Sequence, residues 1–249
     1  MEIAVIGCGW LGFPLALRLK ELGHIVHGSS TRETQVELLE NNGILGFLYD
    51  DLEHSNIPER VKKAAVAIVN FPPSRSKDYA AQVKHLIAQF SANTKVIFTS
   101  STGVYQDVEG ICNETAPCIL DHPVYLAEEV VRKSDRTATI LRLAGLISED
   151  RNPVKYLSGK LNADGQKVVN LVHREDVISA LIMILENDAW GETFNVCYPE
   201  HPTREAYYCK QAALAQLQAP TFSFSIGKGK EIDPSKLVRT LGFAYTHSL

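Results

Sequence analysis

Residues 2–23 read EIAVIGCGWLGFPLALRLKELG. The stretch opens on a short apolar run, Glu2 to Ile6, broken by Gly7, which is the pattern of a buried strand. From Leu11, apolar residues recur at Leu15, Leu19 and Leu22, which is helical spacing. Pro14 is tolerated in a helix's first turn, and Gly23 is a natural C-terminal stop. Between strand and helix, Gly7-Cys8-Gly9-Trp10-Leu11-Gly12 spells G-x-G-x-x-G. Alone the motif is weak; after a strand and at the start of a helix it is in the context that binds a dinucleotide. Gly7 makes the tight turn, Gly9 lets the backbone approach a pyrophosphate, and Gly12 lets the helix pack against the strand. The helix N-terminus adds unpaired N–H groups and a partial positive charge for the phosphates.

Beyond Gly23 the alternation continues. Ile25 to His27 reads as a strand, followed by a polar Ser29-Ser30-Thr31-Arg32 turn. Thr31 can cap a helix from Arg32 to about Glu40, closed by Asn42-Gly43. Gly46 to Tyr49 reads as a strand and Pro58 to Lys63 as a short helix. Ala65 to Asn70 (AVAIVN) is nearly all apolar, as expected of a parallel strand buried on both faces. Lys77 to Ala92 is helical, with Tyr79, Val83, Ile87 and Phe90 on one stripe. Lys95 to Thr99 is a strand, Val124 to Lys133 a helix and Thr139 to Leu143 a strand. Strands alternating with helices imply an α/β protein with a doubly wound parallel sheet, the Rossmann arrangement. After Gly145 the rhythm loosens. Lys167 to Val172 and Thr193 to Cys197 read as strands, Asp176 to Glu186 and Arg204 to Gln218 as helices, and the tail from Phe222 as a small terminal unit. The expected division is a dinucleotide-binding domain over 1–150, to which 173–198 returns, and a small C-terminal substrate region formed by 151–172 and 199–249.

The chain has 249 residues, of which 45% are hydrophobic and 22% charged, enough apolar side chain for a real core. The net charge of -4 comes without a basic block, which disfavours nucleic-acid binding. No apolar run approaches a membrane span, and the N-terminus lacks the basic region of a signal peptide. The five cysteines, an odd number without C-x-x-C, fit reduced cytoplasmic thiols better than a disulfide framework. The eight histidines have no ligand spacing, so no metal site is expected.

The end of the second strand selects the nicotinamide cofactor. An acidic residue there would hold the ribose hydroxyls; this chain instead offers Ser29, Ser30, Thr31 and Arg32. No carboxylate repels a 2′-phosphate, and the Arg32 guanidinium can pair with one. NADP(H) is therefore preferred, with NAD(H) left open. Ser30 and Thr31 can at the same time cap the next helix. Asn70, Phe71 and Pro72, at the end of the fourth strand, border the cofactor by the switch-point rule, although Phe71 can simply pack.

At the fifth strand the sequence reads KVIFTSSTGVYQD. This resembles the S-S-x-x-V-Y-G motif of the extended short-chain dehydrogenases/reductases, the sugar-nucleotide epimerase/dehydratase family. Thr139 to Gly145 (TILRLAG), Asn170 to Val177 (NLVHREDV) and Phe194 to Cys197 (FNVC) resemble later segments of that family in the right order. The resemblance implies that Ser101 binds the reacting oxygen with Thr102 beside it. It also implies a Y-x-x-x-K acid/base pair on the next helix, where a nearby Lys⁺ lets a Tyr titrate near neutrality. Here the connection reads DHPVYLAEEVVRK, and Tyr125 is followed four residues on by Glu129. In the alternative register Tyr125 takes the Lys position and Asp121 the Tyr position; either way the pair is incomplete. A carboxylate near Tyr125 would hinder its ionisation. The literal Tyr156-x-x-x-Lys160 lies after the sixth strand, outside the family's site, and reads as a chance match. The pattern resembles the atypical branch of the family, which lacks the Tyr-Lys pair.

The resemblance implies reversible hydride transfer at a hydroxyl or carbonyl carbon of a sugar nucleotide or a smaller substrate. Ser101 would polarise the oxygen, and Tyr125 or a water would relay the proton. A non-catalytic dinucleotide-binding sensor or scaffold is the alternative. IGCGWLG also resembles the start of β-hydroxyacid-type dehydrogenases, but those continue into a mostly helical domain, against the later strands here. Arg142, inside the sixth strand, is expected to pair with a carboxylate. Tyr105 packs or positions its loop, with a catalytic role as the alternative. Asp176 is expected to cap a helix beside a packing His173. Cys8, at a helix N-terminus, is a small residue under the phosphates, with a redox role as the outside reading. The helices 77–92 and 124–133 would suit a homodimer interface as well as a core.

Overall fold

The computed structural model describes residues 1–50, 56–73, 78–224 and 226–249. Its centre is a seven-stranded parallel sheet built from β1 (Glu2–Ile6), β2 (Ile25–Ser30), β3 (Leu45–Leu48), β4 (Val66–Val69), β5 (Lys95–Ser101), β7 (Ala138–Leu143) and β11 (Thr193–Val196). A short β6 (Gly110–Cys112) intervenes in the chain outside this sheet. The strand order is β11-β7-β5-β4-β1-β2-β3. The order reverses between β1 and β4, and such a reversal opens a crevice at the carboxyl ends of the two strands. Gly7 follows β1 and Asn70 follows β4, so both stand at that crevice. The strands at the reversal are apolar on both faces: Ile3 to Ile6 and all four residues of β4 are buried. Each such Val or Ile contributes on the order of 1.5–3 kcal/mol when removed from water.

The chain divides into two compact units. The first comprises Met1–Val104, Ile119–Arg142 and Ile184–Thr193. Its helices are α1 (Gly12–Glu21), α2 (Glu33–Asn41), α3 (Tyr79–Gln89) and α4 (Pro123–Arg132). Helix α1 buries Leu15, Ala16 and Leu19, the stripe expected from the sequence. The α3 stripe of Tyr79, Val83, Ile87 and Phe90 is likewise buried, and α3 packs on α4 within the unit. Asp78 caps α3 by accepting from the Ala81 N–H; Lys77, where the spacing begins the helix, lies outside the described residues. The helix ends at Gln89, earlier than the pattern suggests, because Phe90 turns extended at ψ 158°. Residues 58–63 form consecutive turns, not a helix, with Val61 N donating to the Pro58 carbonyl and Ala64 N to that of Val61. Thr31 does not cap α2. That helix starts at Glu33 with Arg32 at its N-cap and no side-chain cap, and the Ser30 hydroxyl accepts from the Arg32 N–H.

The second unit comprises Tyr105–Cys118, Leu143–Met183 and Phe194–Leu249. It holds three small parallel pairings. β8 (Gly145–Ile147) pairs with β10 (Leu171–His173), β9 (Leu161–Asn162) with β12 (Thr221–Phe222), and β6 with β13 (Lys230–Ile232). Strands of two or three residues carry no readable period, so the sequence marks only part of them. Its helices are α5 (Val154–Leu157), most of α6 (Arg174–Glu186), α7 (Arg204–Leu214) and α8 (Ser235–Leu241). Helix α7 stops short of Gln218 because Gln216 takes a positive φ of 54°. Val154, Leu171, Tyr207, Tyr208 and Ala212 form a local core, against which Phe222 and Leu249 pack. Asp176 does not cap α6. His173 accepts from the Glu175 N–H, while buried Asp176 accepts from the backbone and side chain of Thr246 in the C-terminal tail. Among the described residues, no helix is long and apolar enough to cross a membrane.

Candidate functional site

The three glycines of the first turn are required for different reasons. Gly7 has φ +101°, and a Cβ there would stand 2.5 Å from the Asn70 carbonyl oxygen. A Cβ on Gly12 would stand 2.2 Å from the Gly7 carbonyl oxygen. Both positions are closed by the protein's own backbone. Gly9 differs: a Cβ there would meet nothing within 4 Å, and its φ lies outside the left-handed range. The protein itself does not demand a glycine at residue 9; a group approaching the backbone from outside would.

The hydrogen bonds point the same way. Gly7 N donates to the Ser29 hydroxyl at 2.9 Å, and Cys8 N to the Ser29 carbonyl at 2.8 Å. Among the described residues the N–H groups of Gly9 and Leu11 have no acceptor. Helix α1 has Leu11 at its N-cap, no side-chain cap and no acidic residue in its first turn. Its N-terminus thus carries no cap from a side chain of the protein. Trp10 is half-buried beside it and Leu11 is buried. These residues fit the pyrophosphate of a dinucleotide. Cys8 turns inward: it is 1% exposed and donates to the Val5 carbonyl. Burial pushes its thiol up to about 12, the reverse of an activated cysteine.

Asn70 ties the turn to the next strands. Its amide donates to the Gly7 carbonyl at 3.2 Å, and the Thr99 hydroxyl donates to its Oδ1 at 3.1 Å. The Phe71 carbonyl accepts from the Tyr79 hydroxyl, and the two rings meet edge-on at 5.5 Å, so Phe71 packs; Pro72 is exposed. At the end of β2, Ser29 is buried and committed to Gly7, while Thr31 and Arg32 are exposed. The Arg32 guanidinium has no carboxylate partner among the described residues.

The two serines ending β5 point in opposite directions, as strand alternation requires. Ser100 is buried and donates to Glu128 of α4. Ser101 is half-buried at the strand end, and its Oγ accepts from Gly103 N at 3.0 Å. Thr102 is buried in the short 3-10 turn that follows, Thr102–Val104. Glu128 is fully buried and receives Arg142 Nε at 3.0 Å, a second Arg142 nitrogen at 2.7 Å and Arg132 at 2.9 Å. This is the carboxylate expected for Arg142, and it clamps α4 to β5 and β7. The sequence signal was present, since Glu128 falls on the apolar face of α4 with Val124, Ala127 and Val131.

Tyr125 is half-buried in the first turn of α4, and its hydroxyl has no hydrogen-bond partner among the described residues. Glu129, at the Lys position of the motif, pairs with Arg132 and Lys133. Partial burial opposes its ionisation, but hydrogen bonds from Lys133 and Arg132 hold the carboxyl below its ordinary range. Asp121 is exposed. Tyr156 is 78% exposed on the four-residue α5, so the literal Y-x-x-x-K there is no site. The Tyr105 hydroxyl is spent on Asn195 Oδ1 at 2.6 Å in a fully buried position, which makes Tyr105 structural.

His122 went unnoticed in the sequence. It is the N-cap of α4, and its Nδ1 accepts from Val124 N at 3.2 Å. An atom at the Cβ position of Gly103 would lie 3.2 Å from Ser101 Oγ and 4.0 Å from His122 Nε2.

Residues 2–97 match the family model described as NADP oxidoreductase, coenzyme F420-dependent. That segment carries the first turn, the end of β2 and Asn70. Protein YeeZ of Escherichia coli K12 is 35% identical over 272 aligned positions, covering 99% of this chain and 96% of the relative. Among solved structures, a UDP-glucuronic acid 4-epimerase from Bacillus cereus in complex with NAD superposes with a TM-score of 0.82 at 19% identity, covering 100% of this chain and 93% of that one. A short-chain dehydrogenase/reductase superfamily protein from Agrobacterium tumefaciens with bound NAD gives 0.80 at 17% identity, with 100% and 93% covered. At these identities the structural likeness is one of fold. The chain belongs to the family of Escherichia coli Protein YeeZ, and its fold is the Rossmann fold of the solved short-chain dehydrogenase/reductase and epimerase structures.

Proposed function

We propose that this chain is an NADP(H)-dependent reductase or epimerase, acting at a hydroxyl or carbonyl carbon of a small polar substrate. The observation that carries the reading is the open space over Gly9, framed by two glycines that the protein's own backbone requires. The N–H groups of Gly9 and Leu11 and the uncapped end of α1 would hold the pyrophosphate. Arg32 would take the 2′-phosphate, supported by its exposure and by the lack of a carboxylate at the end of β2. The bound nicotinamide would supply or accept the hydride. Ser101 would donate its hydroxyl hydrogen to the substrate oxygen, with Thr102 holding the turn beneath it. Tyr125 is the phenol available on α4 for a proton relay.

A sugar nucleotide is the substrate class suggested by the Bacillus cereus neighbour, whose name specifies UDP-glucuronic acid. A smaller ligand is equally compatible with the short strands and helices of the second unit. The free thiols fit a reducing, cytoplasmic setting. Two copies could pair through the outer faces of α3 and α4, which sedimentation would reveal.

The test is calorimetric titration of wild type and Arg32→Ala with NADPH and NADH, followed by turnover on a carbonyl and sugar-nucleotide panel. A guanidinium–phosphate contact is worth about 1.5–3 kcal/mol. Wild type should therefore prefer NADPH by about tenfold or more, and Arg32→Ala should lose that preference while keeping NADH affinity. Equal affinities in wild type would remove the assignment of Arg32. Tight binding without hydride transfer to any compound would favour a non-catalytic module.

A further inference from the structure

We propose that the cavity at the amino ends of β1, β4 and β5 is a second ligand site, which takes a small aromatic monocarboxylate with its ring against the Trp190 indole and its charge on Lys63. The cavity holds about 380 Å³, and the residues that line it all belong to the first unit. Gly7 and Asn70 follow the carboxyl ends of β1 and β4. The turn assigned to the dinucleotide is therefore a strand's length away, about 15 Å. Binding here does not depend on the reductase reading.

Asp188 organises one side of the cavity. Its backbone is left-handed at φ 49°, uncommon for a residue other than glycine. Its Oδ1 accepts from Trp190 Nε1 at 2.8 Å and from Lys95 Nζ at 3.0 Å. These bonds, that from Trp190 foremost, hold the Asp188 carboxyl below its ordinary range. The Lys95 ammonium also stands 4.8 Å from the centroid of the Trp190 ring, a cation–π distance. Indole, ammonium and carboxylate thus fix one another without a ligand, and the Lys95 charge is already matched. Ala65, Val66 and Leu185 supply apolar lining. The buried Thr94 hydroxyl beside them is spent on the Ala64 carbonyl at 2.8 Å.

Two polar side chains of the lining remain unspent. Among the described residues Lys63 has no carboxylate partner and the Asn93 amide no hydrogen bond, whereas the neighbouring Lys62 is paired with Glu59. A tight turn holds Asn93 in place: Thr94 N donates to the Ser91 carbonyl at 3.0 Å, and Asn93 N to the Ser91 hydroxyl at 3.4 Å. This inventory selects the ligand. Apolar lining beside an indole suits a planar hydrocarbon ring. One free ammonium and one free amide suit one carboxylate, with the ammonium on one oxygen and the amide N–H on the other. A phosphate dianion fits less well, because it would face Asp188 with a single unmatched lysine. The volume lies at the lower end of small-molecule sites and leaves room for a bicyclic ring.

The test titrates the isotope-labelled full chain with 2-naphthoate and follows the indole N–H resonance of Trp190, assigned by its loss in Trp190→Phe. That resonance should move saturably, with a Kd at or below about 1 mM. Lys63→Gln leaves an exposed side chain of similar length without the charge. It should weaken binding by about tenfold or more, the loss of one charge-assisted hydrogen bond. Naphthalene-2-methanol, the uncharged analogue, should bind wild type more weakly than the acid by a similar factor. Saturating NADPH should leave the naphthoate Kd within about threefold, and AMP should not displace the acid. An unmoved Trp190 resonance, equal affinity in Lys63→Gln, or equal affinity for the alcohol overturns the proposal. Competition by NADPH would place the acid in the dinucleotide site, and displacement by AMP would make the ligand a phosphate; each overturns it as well. Failure of any dinucleotide to bind removes the reductase reading and leaves this site standing.

Discussion

Adding one methyl group at Gly9 and at Gly12 should have opposite consequences. In Gly9→Ala the new Cβ meets no protein atom within 4 Å, and the backbone is not left-handed. Its effect on the folded state is therefore neutral, and by restricting the unfolded chain it should stabilise by about 0.4–1 kcal/mol. The same methyl occupies the approach to the N–H groups of Gly9 and Leu11. Losing one charge-assisted hydrogen bond to a phosphate costs about 1.5–3 kcal/mol, so NADPH should bind about 10- to 100-fold more weakly. In Gly12→Ala the Cβ would lie 2.2 Å from the Gly7 carbonyl oxygen and 3.0 Å from the Asn70 amide. Backbone must move, which typically costs about 1–3 kcal/mol. Thermal unfolding followed by circular dichroism, with calorimetric NADPH titration of each variant, reads both quantities. The expected pattern is a stable Gly9→Ala that binds poorly and a destabilised Gly12→Ala. If Gly9→Ala bound NADPH within twofold of wild type, the space above the turn would not be the pyrophosphate cradle.

Two other perturbations address the scaffold. Glu128→Gln strips the counter-charge from Arg142, which is 2% exposed; breaking a buried pair costs about 3–5 kcal/mol. For a chain of this size the midpoint of thermal unfolding should fall by roughly 6–12 °C at the lower end of that cost, and a fall under about 2 °C would contradict a tight clamp. The buried thiols of Cys8 and Cys197 are both raised from 9.0 to about 12, chiefly by burial. The unfolded chain loses these protons first. Their contribution to stability is thus complete below pH 9 and drains away between pH 9 and 12. Unfolding temperature should drop over that window, and the Cys8→Ala, Cys197→Ala double variant should flatten the drop; an unchanged slope would show that other groups cause it.

The fold was readable where burial imposes a period. The apolar β1 and β4 and the stripes of α1 and α3 each face the core, and their pattern follows from that single constraint. The motif glycines were readable as a set, but their separate reasons were not. Asn70, more than sixty residues away, closes Gly7, the Gly7 carbonyl in turn closes Gly12, and neither reaches the open Gly9. Long-range polar contacts left no local trace. The pairing of β6 with β13 joins segments about 120 residues apart, and the grip of Asp176 on Thr246 spans 70. His122 was overlooked because a histidine before a proline looks like ordinary loop. Its place is set by the bond its Nδ1 accepts from the Val124 N–H at the start of α4. The second-strand turn shows the reverse error. Ser-Ser-Thr before a helix suggested a Thr31 cap, but Ser30 bonds the Arg32 N–H and leaves α2 without a side-chain cap.

The claim on which the rest stands is that a dinucleotide settles on the turn between β1 and α1. Amide resonances of an isotope-labelled sample, followed during NADPH addition, test it at residue resolution. The largest displacements should fall on Gly9 to Gly12 and on Ser30 to Arg32. A saturable response confined to other parts of the chain, or none at millimolar NADPH or NADH, would contradict it.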